Sequence, residues 1–282
     1  MHSVMEHIDR HLDEQLELET LAAVANFSAF HFHRLFSAWM GETLGEYLRR
    51  RRLEVAAQRL AAQPRLSVLQ VALGVGFGSN EAFTRAFKSR FGRTPTAWRD
   101  SEVSNRDQAK RNRDQDRERE HPNDGHMKVI IVDRKPTMVA YLRHIGPYGK
   151  AISEFWMNEV APWMETNGLL GRPRYGISLD DPGITAPGKL RYDAAVEVPD
   201  HFVGAGRHQT TVIPGGKYAV GKFKGNDRQV GEAWNWLLRD WLSQSSMQLD
   251  ARPCFEYYPV DAKYDPDTGE FECEISIPVM PL

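Results

Sequence analysis

Over the first hundred residues, apolar positions recur three and four apart, starting with Leu12, Leu16 and Leu21. That is the spacing of short amphipathic helices. Beyond residue 126 the period changes. Segments 128–132, 138–142, 191–198, 217–223, 255–259 and 271–279 read as strands, and 154–168 and 229–242 as helices. Between the two patterns, residues 101–126 hold only Val103 and Ala109 from the hydrophobic class, so nothing there can bury a core. The pattern predicts a multidomain chain. An all-α domain (1–100) is followed by a charged flexible linker (101–126) and an α+β domain (127–282). The last is expected as two strand–helix–strand–strand repeats, forming an antiparallel-rich sheet with helices on one face.

The all-α part contains a repeat of its own. Leu21-Ala-Ala-Val-Ala-Asn-Phe27-Ser28 leads into Ala29-Phe30-His31-Phe32-His33-Arg34-Leu35-Phe36. Some fifty positions later, Val71-Ala-Leu-Gly-Val-Gly-Phe77-Gly-Ser79 leads into Asn80-Glu81-Ala82-Phe83-Thr84-Arg85-Ala86-Phe87. Each copy reads as a small-residue helix, a turn, a serine N-cap and a second helix, which is a helix-turn-helix unit. Phe32, Leu35 and Phe36 form one apolar stripe expected to face the core, and Phe83, Ala86 and Phe87 form its counterpart. Phe30, His33 and Arg34 are then left on the outer face of the first unit, and Asn80, Glu81, Thr84 and Arg85 on that of the second. Arg suits guanine, Asn adenine, Glu cytosine and an aromatic ring a thymine methyl. These seven are the candidate base-reading residues.

Between the units, residues 46–60 form a strong helix former that fixes the spacing of the two reading heads. Its run Arg49–Arg52 offers phosphate contacts, although successive helical residues cannot all face one surface. Ser28, Arg49, Arg51, Ser79 and Lys88 are the expected phosphate set, the two serines also leaving helix N-terminal N–H groups for an anion.

Two aligned copies closing on Phe91-Gly-Arg-Thr-Pro-Thr-Ala-Trp-Arg99 resemble the AraC/XylS DNA-binding domain over roughly residues 5–99. The resemblance includes the Tyr-Leu-Arg-x-Arg-Arg-Leu helix. It implies base reading from Phe30, His33 and Arg34, and from Asn80, Glu81, Thr84 and Arg85. Glu81 is a departure, an acid where many relatives carry a neutral polar residue.

Charge adds little to this. The whole chain carries −2, and residues 1–100 hold 13 Arg/Lys against 11 Asp/Glu, so the DNA expectation rests on patterning. Cys254 and Cys273 lack disulfide-framework or zinc spacing. His2, His7, His11, His31 and His33 have no Cys or acidic partner at ligand spacing, so no metal and no cofactor is expected. The first fifteen residues are unlike a signal peptide, and no apolar run has the length of a membrane helix. A cytoplasmic protein without membrane contact is expected.

In the C-terminal domain, strand alternation places Phe271, Cys273, Ile275 and Ile277 on one side, and Glu272, Glu274 and Ser276 on the other. Glu256 and Tyr258 also share a side. If the two strands are neighbours, acidic and aromatic groups gather on one surface. The plainer expectation is a solvated polar sheet face.

Residues 127–282 resemble the GyrI-like effector-binding domain, also found behind multidrug-sensing regulators. The matching pieces are Gly146-Pro-Tyr148, Tyr192-Asp193-Ala-Ala-Val, Gly216-Lys-Tyr218-Ala-Val, Glu232-Ala-Trp234, Phe255-Glu256-x-Tyr258-Pro and Glu274-Ile-x-Ile-Pro-Val279. The resemblance implies an acid at Glu256 that neutralises lipophilic cations in an aromatic-lined pocket. Glu274, Tyr148, Trp156, Tyr192, Tyr218, Trp234 and Tyr258 complete the expected effector set. Gly225-Asn226-Asp227 departs from the family's Gly-Pro-Tyr in the second half and removes one aromatic.

The function expected is a one-component transcriptional regulator, not an enzyme. Its partners would be double-stranded DNA, a small lipophilic or cationic effector and RNA polymerase. Two other readings stay open for the C-terminal domain. One is a small-molecule hydrolase using Glu256 as base with Tyr148 or Tyr258, and the other is a gyrase-inhibitor-like protein-binding module.

Overall fold

Asn26 and Gly76 take positive φ angles of 56° and 82° at matching points of the sequence repeat, a conformation open mainly to Gly and Asn. Each sits in the turn between two helices. The computed structural model describes residues 2–63, 65–101, 104, 127–250 and 252–281, and the chain divides into two units, Met1–Asn105 and Arg106–Leu282. The first unit contains α1 (His2–Arg10), α2 (Leu18–Val24), α3 (Ala29–Met40), α4 (Leu44–Ala62), α5 (Val68–Leu73), α6 (Asn80–Phe91) and α7 (95–101). The charged stretch from 105 to 126 lies outside the described residues.

The two helix-turn-helix units share their punctuation. Phe27 N–H donates to the Ala22 carbonyl at 2.9 Å, and Phe77 N–H to that of Ala72 at 3.0 Å. Ser28 caps α3 by accepting from His31 N–H, and Ser79 caps α6 by accepting from Ala82 N–H. Both helices end on a left-handed glycine, Gly41 and Gly92. Phe32, Phe36, Phe83 and Phe87 are fully buried, and truncating such a ring costs about 3–5 kcal/mol. Leu35 does not join them: it is 44% exposed. At i+3 from Phe32 it falls on the edge of the stripe, where α6 carries the small, buried Ala86.

α4 is held from within. Its N-terminus is a capping box, Thr43 with Glu46. Arg50 pairs with Glu42 at 2.8 Å and Glu54 at 2.9 Å. Arg52 donates to the carbonyls of Leu12, Glu14 and Gly76 at 2.9, 2.7 and 3.0 Å. One guanidinium thus ties the α1–α2 connection to the α5–α6 turn, so α4 and Arg52 together set the spacing of the two units.

The second unit is one curled antiparallel sheet. Its strands are β1 (Val129–Arg134), β2 (Thr137–Ile145), β3 (Arg174–Ser178), β4 (Arg191–Glu197), β5 (Gln209–Ile213), β6 (Gly216–Gly225), β7 (Met247–Leu249), β8 (Phe255–Tyr258) and β9 (Phe271–Pro281). Their spatial order is β1-β6-β9-β8-β3-β4-β2-β5, with β7 beside β9. Two helices, α8 (150–166) and α9 (229–244), each include a π-helical turn, at Trp156–Val160 and Trp236–Trp241. Two strands precede α8 and two follow it, so the expected strand–helix–strand–strand unit is a strand short. β3 and β5 escaped the sequence reading because Arg174-Tyr-Gly-Ile-Ser and Gln209-Thr-Thr-Val-Ile lack a run of alternating apolar residues.

The registers fix which residues share a face. Ala140, Leu142, Ala194 and Val196 pack with Phe155, Val160 and Trp163 of α8. Ala219, Cys273, Ile275 and Ile277 pack with Leu237 and Leu242 of α9. Pairing of Ala140 with Val196, Gly176 with both Ala194 and Glu256, Glu256 with Ile275, and Ile277 with Ala219 puts all of these on one side. The other side is apolar too. Val139, Tyr141, Tyr175, Ile213, Tyr218, Val220 and Phe255 form a second core as the sheet curls on itself, so the plainer expectation of a solvated sheet face does not hold.

Candidate functional site

In the helical unit, burial of the Phe stripes leaves the opposite faces exposed. His33 and Arg34 on α3 are exposed, as are Asn80, Glu81 and Arg85 on α6, with Thr84 half-buried. The side chain of Phe30 lies outside those described. The four α6 residues share the N-terminal part of one helix face, beside the Ser79 cap. Arg49, Lys88 and Ser28 are exposed and Ser79 half-buried. Arg51 is not a surface residue. It is 4% exposed and lies between Glu54 at 3.1 Å and Asp9 at 3.3 Å, so its charge is spent inside the fold. Two steps from Arg49, it turns through about 200° onto the core side.

In the strand-rich unit, the side facing α8 and α9 carries one acid among rings. Glu256 on β8 is 7% exposed. Its Oε1 accepts from Trp234 Nε1 at 2.9 Å and its Oε2 from the Tyr258 hydroxyl at 2.8 Å. Trp156 Nε1, from the other helix, donates to the Tyr192 hydroxyl at 3.1 Å. The Trp156 and Tyr258 rings lie 6.3 Å apart, as do those of Tyr148 and Tyr192. Gly176 forms the floor between Tyr192 and Glu256. A Cβ there would run into the Tyr192 hydroxyl and come within 2.8 Å of Glu256 Oε2, so only glycine lets both side chains cross β3. Gly176 had a sequence signal, an isolated glycine between Tyr175 and Ile177, but without a predicted strand it carried no meaning.

Five expected effector residues therefore meet here: Glu256, Tyr258, Tyr192, Trp156 and Trp234. Tyr148 extends the aromatic wall, while its hydroxyl donates to the Arg191 carbonyl at 2.7 Å. Glu274 and Tyr218 are not with them. Tyr257 is the partner of Glu274 across β8–β9, so Glu274 points to the second core, where it meets Arg134 at 2.8 Å. Tyr218 packs there against Phe255 at 5.1 Å, beneath the Arg252 guanidinium.

Burial raises the Glu256 carboxyl above its ordinary pKa, and the hydrogen bonds from Trp234 and Tyr258 pull it partly back. Burial, then the Glu256 charge, holds the Tyr192 and Tyr258 hydroxyls well above the usual phenol range, so both stay protonated. Among the described residues no ion pair includes Glu256. A buried carboxylate satisfied only by ring donors is suited to accept a cation, which would restore the charge balance lost on burial. Two cavities of about 280 and 520 Å³ lie elsewhere, against Arg134 and Phe255 and between Leu16 and Phe77. No group of three or more potential metal ligands occurs among the described residues, and no described helix is long and apolar enough to cross a membrane.

The GyrI-like small molecule binding domain matches residues 127–280, and a helix-turn-helix domain matches residues 21–101. The right origin-binding protein of Escherichia coli (strain K12) is 42% identical over 96 residues, which are 33% of this chain and 32% of that protein. The chain thus spans about a third of the length of that relative. The regulatory protein SoxS of Salmonella typhimurium is 35% identical over 34% of this chain and 90% of its own length. The SPbeta prophage-derived protein YosT of Bacillus subtilis is 28% identical over 54% of this chain and 99% of its own. The chain belongs to the GyrI-like small molecule binding domain family, joined to an AraC-type helix-turn-helix domain.

Proposed function

We propose that this protein is a one-component DNA-binding transcriptional regulator whose C-terminal unit senses a small lipophilic or cationic effector at Glu256. The observation that carries the effector reading is a buried carboxylate, held by Trp234 and Tyr258 with no cationic partner among the described residues. A lipophilic cation brings the missing charge, and the rings add cation–π attraction. The C-terminal unit is read as two related halves whose helices each offer one tryptophan to the shared site.

The N-terminal unit is read as the DNA-binding part. His33, Arg34, Asn80, Glu81, Thr84 and Arg85 read base edges, while Ser28, Arg49, Ser79 and Lys88 meet phosphate. The effector acts only as far as it binds the DNA-competent and incompetent arrangements with different affinity. RNA polymerase is the partner whose access or recruitment the bound protein alters. The test is to select a binding site from random duplex DNA and titrate the full chain on it with and without lipophilic cations. A sequence-selective complex whose affinity moves with the cation supports the reading. Equal binding to all duplexes at every cation concentration contradicts it.

A further inference from the structure

Arg174 lies one same-face step along β3 from Gly176, and its rung partner on β8 is Tyr258, as Glu256 is that of Gly176. Its guanidinium stands 5.7 Å over the Tyr258 ring. Among the described residues it donates no hydrogen bond and joins no ion pair, and it still reaches solvent. Burial lowers its pKa, and no carboxylate is among the groups that act on it. An unpaired cation and an unpaired anion thus share one sheet face, separated by roughly 6–7 Å of strand. Tyr258 keeps them from closing on each other, with its hydroxyl on Glu256 and its ring beneath Arg174.

We infer that this face is a dipolar receptor, and that its ligand is a zwitterion with an ammonium group and a carboxylate at opposite ends of a flat apolar body. The ammonium meets Glu256 between the tryptophans. The carboxylate takes the Arg174 guanidinium as a forked, charge-assisted pair. The body lies along Tyr258. A ligand with the cation alone leaves Arg174 unpaired and brings a like charge towards it. This inference rests on the reading of Glu256 as the cation partner and narrows the ligand class within it.

The test uses the full chain and three probes of one shape: 4-(aminomethyl)benzoic acid, its methyl ester and 4-methylbenzoic acid. Binding is read by calorimetry and by tryptophan fluorescence, with Arg174→Gln and Arg174→Lys beside the parent. The zwitterion is expected to bind about tenfold or more tighter than either half-charged analogue. Arg174→Gln should bring it down to the ester while leaving ester affinity unchanged or raised, and Arg174→Lys should restore part of the preference. Ester and zwitterion binding alike, or a preference that survives Arg174→Gln, overturns the dipolar receptor. If the ester still binds and needs Glu256, the simpler cation reading stands. Failure of all three probes on the parent overturns both.

Discussion

Trp234 donates its indole N–H to Glu256 across 2.9 Å, from a helix to a strand of the sheet beneath it. That contact joins α9 to a buried acid on the helix-facing side, so whatever reaches the carboxylate must move or share the tryptophan. Tyr258 holds the other oxygen from the same strand. The two donors keep the charge in place without neutralising it, and the consequences for pH and ligand follow.

Because burial raises the Glu256 pKa in the fold, the folded state holds that proton more tightly than the unfolded chain. Its stabilising contribution is full below the ordinary carboxyl pKa and is lost as pH rises through the raised folded value. Glu256→Gln removes the effect. Without ligand, the variant should gain on the parent between about pH 4 and pH 8, by about 1.4 kcal/mol for each tenfold of proton affinity removed. Urea unfolding at both ends of the range measures this, and a gap that stays level or narrows would argue against an ionised buried acid.

Gly176→Ala places a methyl group against the Tyr192 hydroxyl and Glu256 Oε2. A loss of about 1–3 kcal/mol is expected from overpacking. Removing the hydroxyl in Gly176→Ala/Tyr192→Phe should recover part of it, a non-additivity visible in a double-mutant cycle. Strict additivity would mean the two residues do not meet.

Arg49 and Arg51 are expected to separate cleanly. Arg51→Ala removes one of the partners of buried Glu54, which keeps Arg50, and a partner of half-buried Asp9, and should cost about 1–3 kcal/mol of stability. Arg49→Ala should leave stability near the parent's, weaken all duplexes about equally and lower the salt slope of binding by about 1. Thermal unfolding and salt-dependent anisotropy distinguish the two.

Arg34→Ala or Arg85→Ala should each cost about 1–3 kcal/mol on the selected site and relax preference at one base position. Competition between the site and its single-base variants gives the answer. Uniform weakening would reassign that arginine to the phosphate backbone.

Local pattern carried much of this into view. The helix-turn-helix repeat was legible because Phe32/Phe36 and Phe83/Phe87 recur with the same serine caps and glycine ends. Alternation along β8 correctly put Glu256 and Tyr258 together. It could not say that β9 sets Ile275, not Glu274, across from Glu256, since register belongs to the pairing and not to either strand. Arg51 reads as a surface cation until α1 brings Asp9 to it from 42 residues away. Arg174 and Gly176 were missed with β3 itself, a short strand identified by its neighbours on both sides.

Thermal unfolding of the full chain with lipophilic cations and size-matched neutral compounds, on the parent and on Glu256→Gln, bears most directly on the Glu256 site. Binding adds RT ln(1 + [L]/Kd) to stability, so at a hundredfold excess over Kd the gain is about 2.7 kcal/mol. The cations should raise the parent's midpoint well above the neutral compounds, and that advantage should vanish in Glu256→Gln. Equal shifts for charged and neutral compounds, or a cation shift that survives the substitution, would contradict a Glu256-centred cation site.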